Sequence, residues 1–254
     1  MIIPLLLTGL LAGVIVGFVT ASIKSWVDRF FLVVLLVGLM QIPIKEAILI
    51  NLIVVGLAAL MMMVRQTDII VAVRTNWTLI VLPAVLGSVI GRILALDLSA
   101  SILLAILGMY AILVGVRLVV IKPMPEREDK GHPVWMAPIA AFSGLLVGLI
   151  SAGGKPFTIP LYNTALGHHP RQAYALTALG VVSGAWMALA TQTALGHAIS
   201  QQDLILAVYL FTIIVLTALI VHRFWTPKLG RIVTWTIAPL LVLIGVRFVL
   251  MAWP

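Results

Sequence analysis

The feature that most constrains this fold is a near-repeat. Gly13-Val14-Ile15-Val16-Gly17-Phe18-Val19-Thr20-Ala21-Ser22-Ile23-Lys24 returns 131 positions later as Gly144-Leu145-Leu146-Val147-Gly148-Leu149-Ile150-Ser151-Ala152-Gly153-Gly154-Lys155. Two apolar helices thus each end at a lysine. The correspondence continues with Ile44-Lys45-Glu46-Ala47 against Pro170-Arg171-Gln172-Ala173 at an offset of 126, and Leu113-Val114-Gly115-Val116-Arg117 against Leu243-Ile244-Gly245-Val246-Arg247 at 130. Small insertions in loops account for the changing offset, and agreement at both ends of each half argues for a duplicated unit.

The setting is hydrophobic. Apolar residues make up 63% of the chain and charged ones 9%, with a mean hydropathy of +1.22, so a soluble domain is excluded and an all-α polytopic membrane protein is expected. The net charge of +8 lies mostly in short loops, where the positive-inside rule explains it without nucleic acid. The absence of cysteine excludes disulfides and thiolate chemistry. The segment after Met1 has neither a basic start nor a small-residue cleavage site and reads as a first helix, not a leader.

Ten apolar segments are expected, near 2–23, 26–42, 44–64, 76–95, 99–121, 134–153, 156–167, 171–194, 202–222 and 232–252. The run from Lys122 to Pro133, with its prolines and mixed charges, cannot continue a helix and stays in water. It divides the chain into an N-terminal repeat (1–121), a linker (122–133) and a C-terminal repeat (134–254). If all ten segments cross, each repeat has five crossings and the two are inverted; if the short ones only dip in and return, four remain and the repeats are parallel. The segment at 156–167 spans roughly 18 Å, short of a hydrocarbon core about 30 Å thick, and must be a broken or re-entrant helix beside a cavity. Counting Lys and Arg places the loops with Arg65 and Arg74, with Lys122, Arg127 and Lys130, with Arg171, and with Arg223, Lys228 and Arg231 in the cytoplasm. Both termini then face outward.

An ionisable residue within a membrane segment marks a functional site by default, and here one occurs at the same place in both repeats. Lys155 stands in Ser151-Ala152-Gly153-Gly154-Lys155-Pro156, where Gly153 and Gly154 let the backbone turn and Pro156 can open the half-helix. Amides at that helix start, a positive dipole end and the ammonium would converge on an anion. Lys24 does likewise in the first repeat, flanked by Ser22 and Ser25. Thr158 and the paired positions Asn51 and Thr177 add hydrogen-bonding groups. Snorkelling to the interface is the plainer reading of either lysine alone.

Other polar residues read as structural. Gly9, Gly13 and Gly17, like Ala140, Gly144 and Gly148, form small-residue stripes for close helix packing. Arg117 and Arg247 are expected as interface anchors, Arg92 and His222 as loop-flanking topological charges, and Met61-Met62-Met63 as lipid-facing or core filler. His168-His169 has no carboxylate near it in sequence and is not expected to bind metal. Asp28 is the acid that could lie deep enough to balance Lys24.

With these residues in view, the chain resembles the TauE/SafE family of sulfite and organosulfonate exporters. The resemblance lies in two apolar repeats, each opening with a helix and a turn, and in Ser151 to Pro160, which is similar to the family's glycine-rich turn and Pro-containing short helix. Gly153, Gly154 and Pro160 match that pattern; Ser151 and Lys155 stand where glycine is usual, and the first repeat lacks the glycines from Thr20 to Asp28. The resemblance implies a secondary transporter, working outward, for a small anion such as sulfite or an organosulfonate, in a bacterial or archaeal inner membrane. Lysine at both turns suits a doubly charged substrate. The expected partners are that anion, the lipid bilayer and a second copy of the chain in a homodimer, without nucleic acid, metal or cofactor. The alternatives are an anion channel with the lysines as a selectivity ring, or a non-transporting scaffold subunit; no spacing of metal ligands, paired acids or a Ser and His dyad points to an enzyme.

Overall fold

The computed structural model describes residues 2–22, 30–65, 67–72, 74–120, 125–127 and 129–253. Among these every regular element is helical: α1 (Ile2–Ser22), α2 (Phe30–Gly38), α3 (Ile44–Arg65), α4 (Thr67–Ala72), α5 (Trp77–Asp97), α6 (Ala100–Val120), α7 (Met136–Ile150), α8 (Lys155–Pro160), α9 (Pro170–Ala194), α10 (Gln201–Arg223) and α11 (Pro227–Ala252). Seven are long and apolar enough to cross a membrane. Backbone groups in hydrocarbon must bond within their own segment, and helices do this residue by residue.

The helix ends lie where local chemistry stops or starts a backbone ladder. Pro170 and Pro227 occupy first turns where a missing N–H is not felt, and His169 Nδ1 and Thr226 Oγ1 accept from the amides of Arg171 and Leu229 at 3.1 and 3.2 Å. Ser200 Oγ accepts from Asp203 N and donates to its carboxylate, closing the start of α10. The short α4, which no periodicity announces in six residues, is held by Thr67 Oγ1 on Val64 O and by Trp77 Nε1 donating to Ile70 O at 3.1 Å.

The chain packs as two compact units. The first comprises Met1–Val54, Leu98–Val120 and Ile199–Pro254; the second comprises Val55–Asp97 and Ile121–Ala198. A repeat describes sequence and a compact unit describes packing, so each unit takes helices from both halves of the chain.

In the first unit α1 runs beside α10 in the same direction: Leu6 O accepts from Tyr209 Oη, a Cβ on Gly13 would meet Ile213, one on Gly17 would meet Thr217, and Ser22 O accepts from Trp225 Nε1. Helices α6 and α11 cross antiparallel on glycine, since a Cβ on Gly108 or Gly245 would stand 2.6 or 2.5 Å from the other residue's carbonyl oxygen. Phe30 of α2 meets Tyr110 of α6 edge to face at 5.1 Å. After α2 the chain returns toward the beginning of α1, with Met40 near Gly9.

In the second unit α5, α7 and α9 run in one direction. A Cβ on Gly144 or Gly148 would run into the carbonyl oxygens of Ala84 and Ser88, and one on Gly87 or Gly91 into those of Ala141 and Leu145. The two backbones therefore touch, which small residues permit and which lipid, offering no hydrophobic drive between helices, makes the main source of association. Ser88 Oγ donates to Gly184 O, joining α5 to α9. The small-residue stripes on α1 and α7 thus each find a partner helix, α10 and α5 respectively.

The expected segments match long helices within a few residues, with two exceptions. The described helix in the 26–42 segment is α2, nine residues long. The 156–167 segment is α8 followed by a π turn over Leu161–Ala165, because Pro156 and Pro160 remove donors and Leu166 N reaches back to Leu161 O.

Candidate functional site

Where α7 ends, Ser151 adopts a left-handed conformation (φ 52°), with its amide on Val147 O and that of Ala152 on Leu146 O. This is a glycine-type helix ending built on serine. The extended stretch that follows runs back along α7: Ser143 Oγ donates to Gly153 O at 2.9 Å, two turns before the helix end. Gly153 lies against α9, where a Cβ would stand 2.8 Å from Val181 Cγ2, and Gly154 has φ 61°, so both glycines answer a geometric demand.

From there α8 and the π turn retrace the path to the side on which α7 began. Tyr162 Oη lies 3.5 Å from Met136 O, and Leu166 O accepts from Gly131 N. The linker straps this end: Arg127 N donates to Gly167 O, and its guanidinium to Ala165 O at 2.8 Å, a cation on the carbonyl end of a helix. Measured along α9, the turn at Gly153 lies level with Val181, about 17 Å from Pro170. The half-helix therefore begins partway along α9 and runs back toward the end at which α7 and α9 begin.

Lys155 is the first residue of α8 and is 1% exposed. Its Nζ lies 3.9 Å from Met62 Sδ of α3 and 3.9 Å from the centroid of the Tyr174 ring of α9, a cation over an aromatic face. One turn on, the Thr158 and Thr177 hydroxyls stand 3.2 Å apart, both fully buried. The amides of Phe157 and Thr158 are bonded to Gly154 O and Pro156 has none, so positive charge here comes from the ammonium more than from an open helix start.

Of the residues singled out in the sequence, Gly153, Gly154, Lys155, Thr158 and Thr177 come together in the second unit. Asn51 on α3 and Ser22 at the end of α1 are buried in the first, and Ser22 Oγ meets no hydrogen-bond partner among the described residues. Lys24, Ser25 and Asp28 lie outside the described residues. Sequence reasoning missed Met62 and Tyr174, which flank the Lys155 ammonium, and Ser143, which holds the turn. It also placed Arg92 beside a loop as a topological charge. Arg92 is instead 2% exposed inside the second unit, because it follows Gly91 on the face that α7 covers, and it donates to Gln192 Oε1 of α9.

Comparison with curated proteins and with solved structures gives no match. The profile of the sulfite exporter TauE/SafE family matches residues 5–248, nearly the whole chain. With its seven apolar helices the chain is an integral membrane protein, and it belongs to the TauE/SafE family of sulfite exporters.

Proposed function

We propose that this protein is a secondary transporter that exports a small anion such as sulfite or an organosulfonate across a bacterial or archaeal inner membrane. The observation that carries this reading is the Lys155 ammonium, 1% exposed at the start of a half-helix that begins partway along α9. A cation held over the Tyr174 ring in a region largely shut off from water is weakly screened, and it would attract a transported anion passing beside it. Gly153 and Gly154 bring backbone close, while Thr158 and Thr177 supply hydroxyls to its oxygens. Lys24, Ser22, Ser25 and Asn51 supply the equivalent groups from the first repeat.

Alternating access follows from the proposed repeat. Each half opens with a helix followed by a short helix that returns toward its start, and three long helices come after it: α3, α5 and α6, then α9, α10 and α11. Three crossings are an odd number, which favours inverted halves over parallel ones. Packing supports the exchange, since α1 pairs with α10 as its counterpart α7 pairs with α5, and α6 pairs with its own counterpart α11. The linker side, rich in Lys and Arg, is then cytoplasmic, and both termini face outward.

The test is sulfite flux in proteoliposomes, with wild type and Lys155→Gln compared, and with unlabelled sulfite placed on the far side. Saturable flux accelerated by the far-side anion and reduced at least tenfold by the substitution supports a transporter with this site. Flux without saturation or counterflow indicates a channel, and no flux with any sulfur oxyanion indicates a scaffold.

A further inference from the structure

A second cation is buried in the same unit and plays no part in the Lys155 site. Arg92 lies on α5 within its contact with α7, its backbone N 2.7 Å from where a Cβ on Gly148 would be, and it is 2% exposed. Its guanidinium donates to a neutral amide, Gln192 Oε1. Among the described residues its buried Nε meets no hydrogen-bond partner and no carboxylate lies within ion-pairing distance.

A guanidinium does not deprotonate in a protein, so this is a standing positive charge with a donor left over. Buried arginines are ordinarily paired, because desolvating one without a counter-charge is unfavourable by several kcal/mol. Joining α5 to α9 does not require a charge: Ser88 makes the same junction to Gly184 with a hydroxyl one turn earlier. Nor does the repeat require one, since the residue at the matching position, His222, is exposed. What a planar fork of donors with an unused N–H fits is an oxyanion, whose oxygens can take Nε and Nη together.

We propose that Arg92 and Gln192 form a second oxyanion subsite, distinct from that at Lys155. Both line α9: Lys155 sits over Tyr174, with the Thr158 contact at Thr177, and Arg92 sits on Gln192, 15 to 18 residues further on. That is a separation of about 22–27 Å along the helix, most of a hydrocarbon core. The subsite rests on the transport reading above and adds to it a stop near the outward face, where an exported anion is held before release. The Gln192 amide keeps the guanidinium aimed without neutralising it.

Equilibrium dialysis of radiolabelled sulfite and sulfate against the purified full-length protein tests this, on wild type, Lys155→Gln, Arg92→Gln and Gln192→Glu. The glutamate variant places a carboxylate against the guanidinium and so keeps the fold tied while occupying the subsite. Two equivalents are expected in wild type, with one lost in each variant. A single equivalent abolished by Lys155→Gln and untouched by Arg92→Gln and Gln192→Glu would overturn the subsite and leave the transporter reading standing. Binding that depends on Arg92 and Gln192 but not on Lys155 would support the subsite and remove the Lys155 site. No binding in wild type overturns both.

Discussion

Thr158 Oγ1 on the half-helix stands 3.2 Å from Thr177 Oγ1 on α9, with both side chains sealed from solvent. One hydroxyl donates to the other, so the pair fastens a short segment, broken by two prolines, to the longest helix of its unit. The same pair lies one turn from Lys155, and what the half-helix gains in position the site gains in polarity.

A double-mutant cycle separates these roles. Thr158→Val and Thr177→Val should each weaken the protein by about 1 kcal/mol, with a coupling of about 0.6 kcal/mol between them, the usual worth of a hydrogen bond between membrane helices. If the hydroxyls also hold the anion, KM for sulfite should rise several-fold in each. Additive stabilities, read by thermal unfolding in detergent, would contradict the hydrogen bond.

Lys155→Met should uncouple stability from activity. An apolar chain of similar length keeps the packing against Met62 and the Tyr174 ring, so the thermal midpoint should move by only a few degrees. Sulfite flux should fall at least tenfold. A variant that unfolds while retaining the flux of its remaining folded fraction would mean that Lys155 serves packing.

The α5 and α7 backbones touch through Gly148, whose added Cβ would collide with the Ser88 carbonyl, whereas one on Gly9 would only press the Tyr209 ring edge at 3.3 Å. A ring can shift; a helix backbone cannot without unpacking. Gly148→Ala should therefore destabilise by roughly 1–3 kcal/mol and Gly9→Ala by less than about 1 kcal/mol. Equal effects on the unfolding midpoint would contradict the backbone contact.

How much of this could be read from residues alone depends on which interaction decides each feature. Long apolar runs in lipid have one available backbone solution, so α3, α5, α6, α9 and α10 stand in the sequence within two residues, while α11 begins at Pro227, five residues before its apolar run, because Thr226 and Pro227 start the helix there. The turn at Gly153-Gly154 was legible for the same local reason: two glycines and a proline restrict what the chain can do. That the 156–167 run is a broken helix was legible from its length, whereas the contacts that carry it back, Tyr162 with Met136 and Arg127 with Ala165, lie far off in sequence and were not. Arg92 was misread since five residues before a helix end looks like an interface; only the neighbouring Gly91 and Gly87, facing α7, showed that this side of α5 is covered. Met62 gave no sign, for a methionine among methionines reveals its role only through what lies across from it.

The strap over the half-helix end carries a pH dependence through His168. This side chain is 8% exposed, its Nε2 meets no partner, and its carbonyl accepts from Asn163 Nδ2 at 2.8 Å. Burial lowers its pKa from the ordinary 6.5; Lys130 on the linker lowers it further, while a hydrogen bond donated to Gln172 and the charge of Glu126 oppose the shift. The folded state then binds this proton less readily than the unfolded chain. Its contribution to stability is complete above about pH 6.5 and is lost as the pH falls through that value toward the folded-state pKa. The thermal midpoint of wild type should drop between pH 7 and 5, and His168→Gln should flatten that drop while leaving the midpoint at pH 7.5 nearly unchanged. An equal slope in the two proteins would place the titration elsewhere.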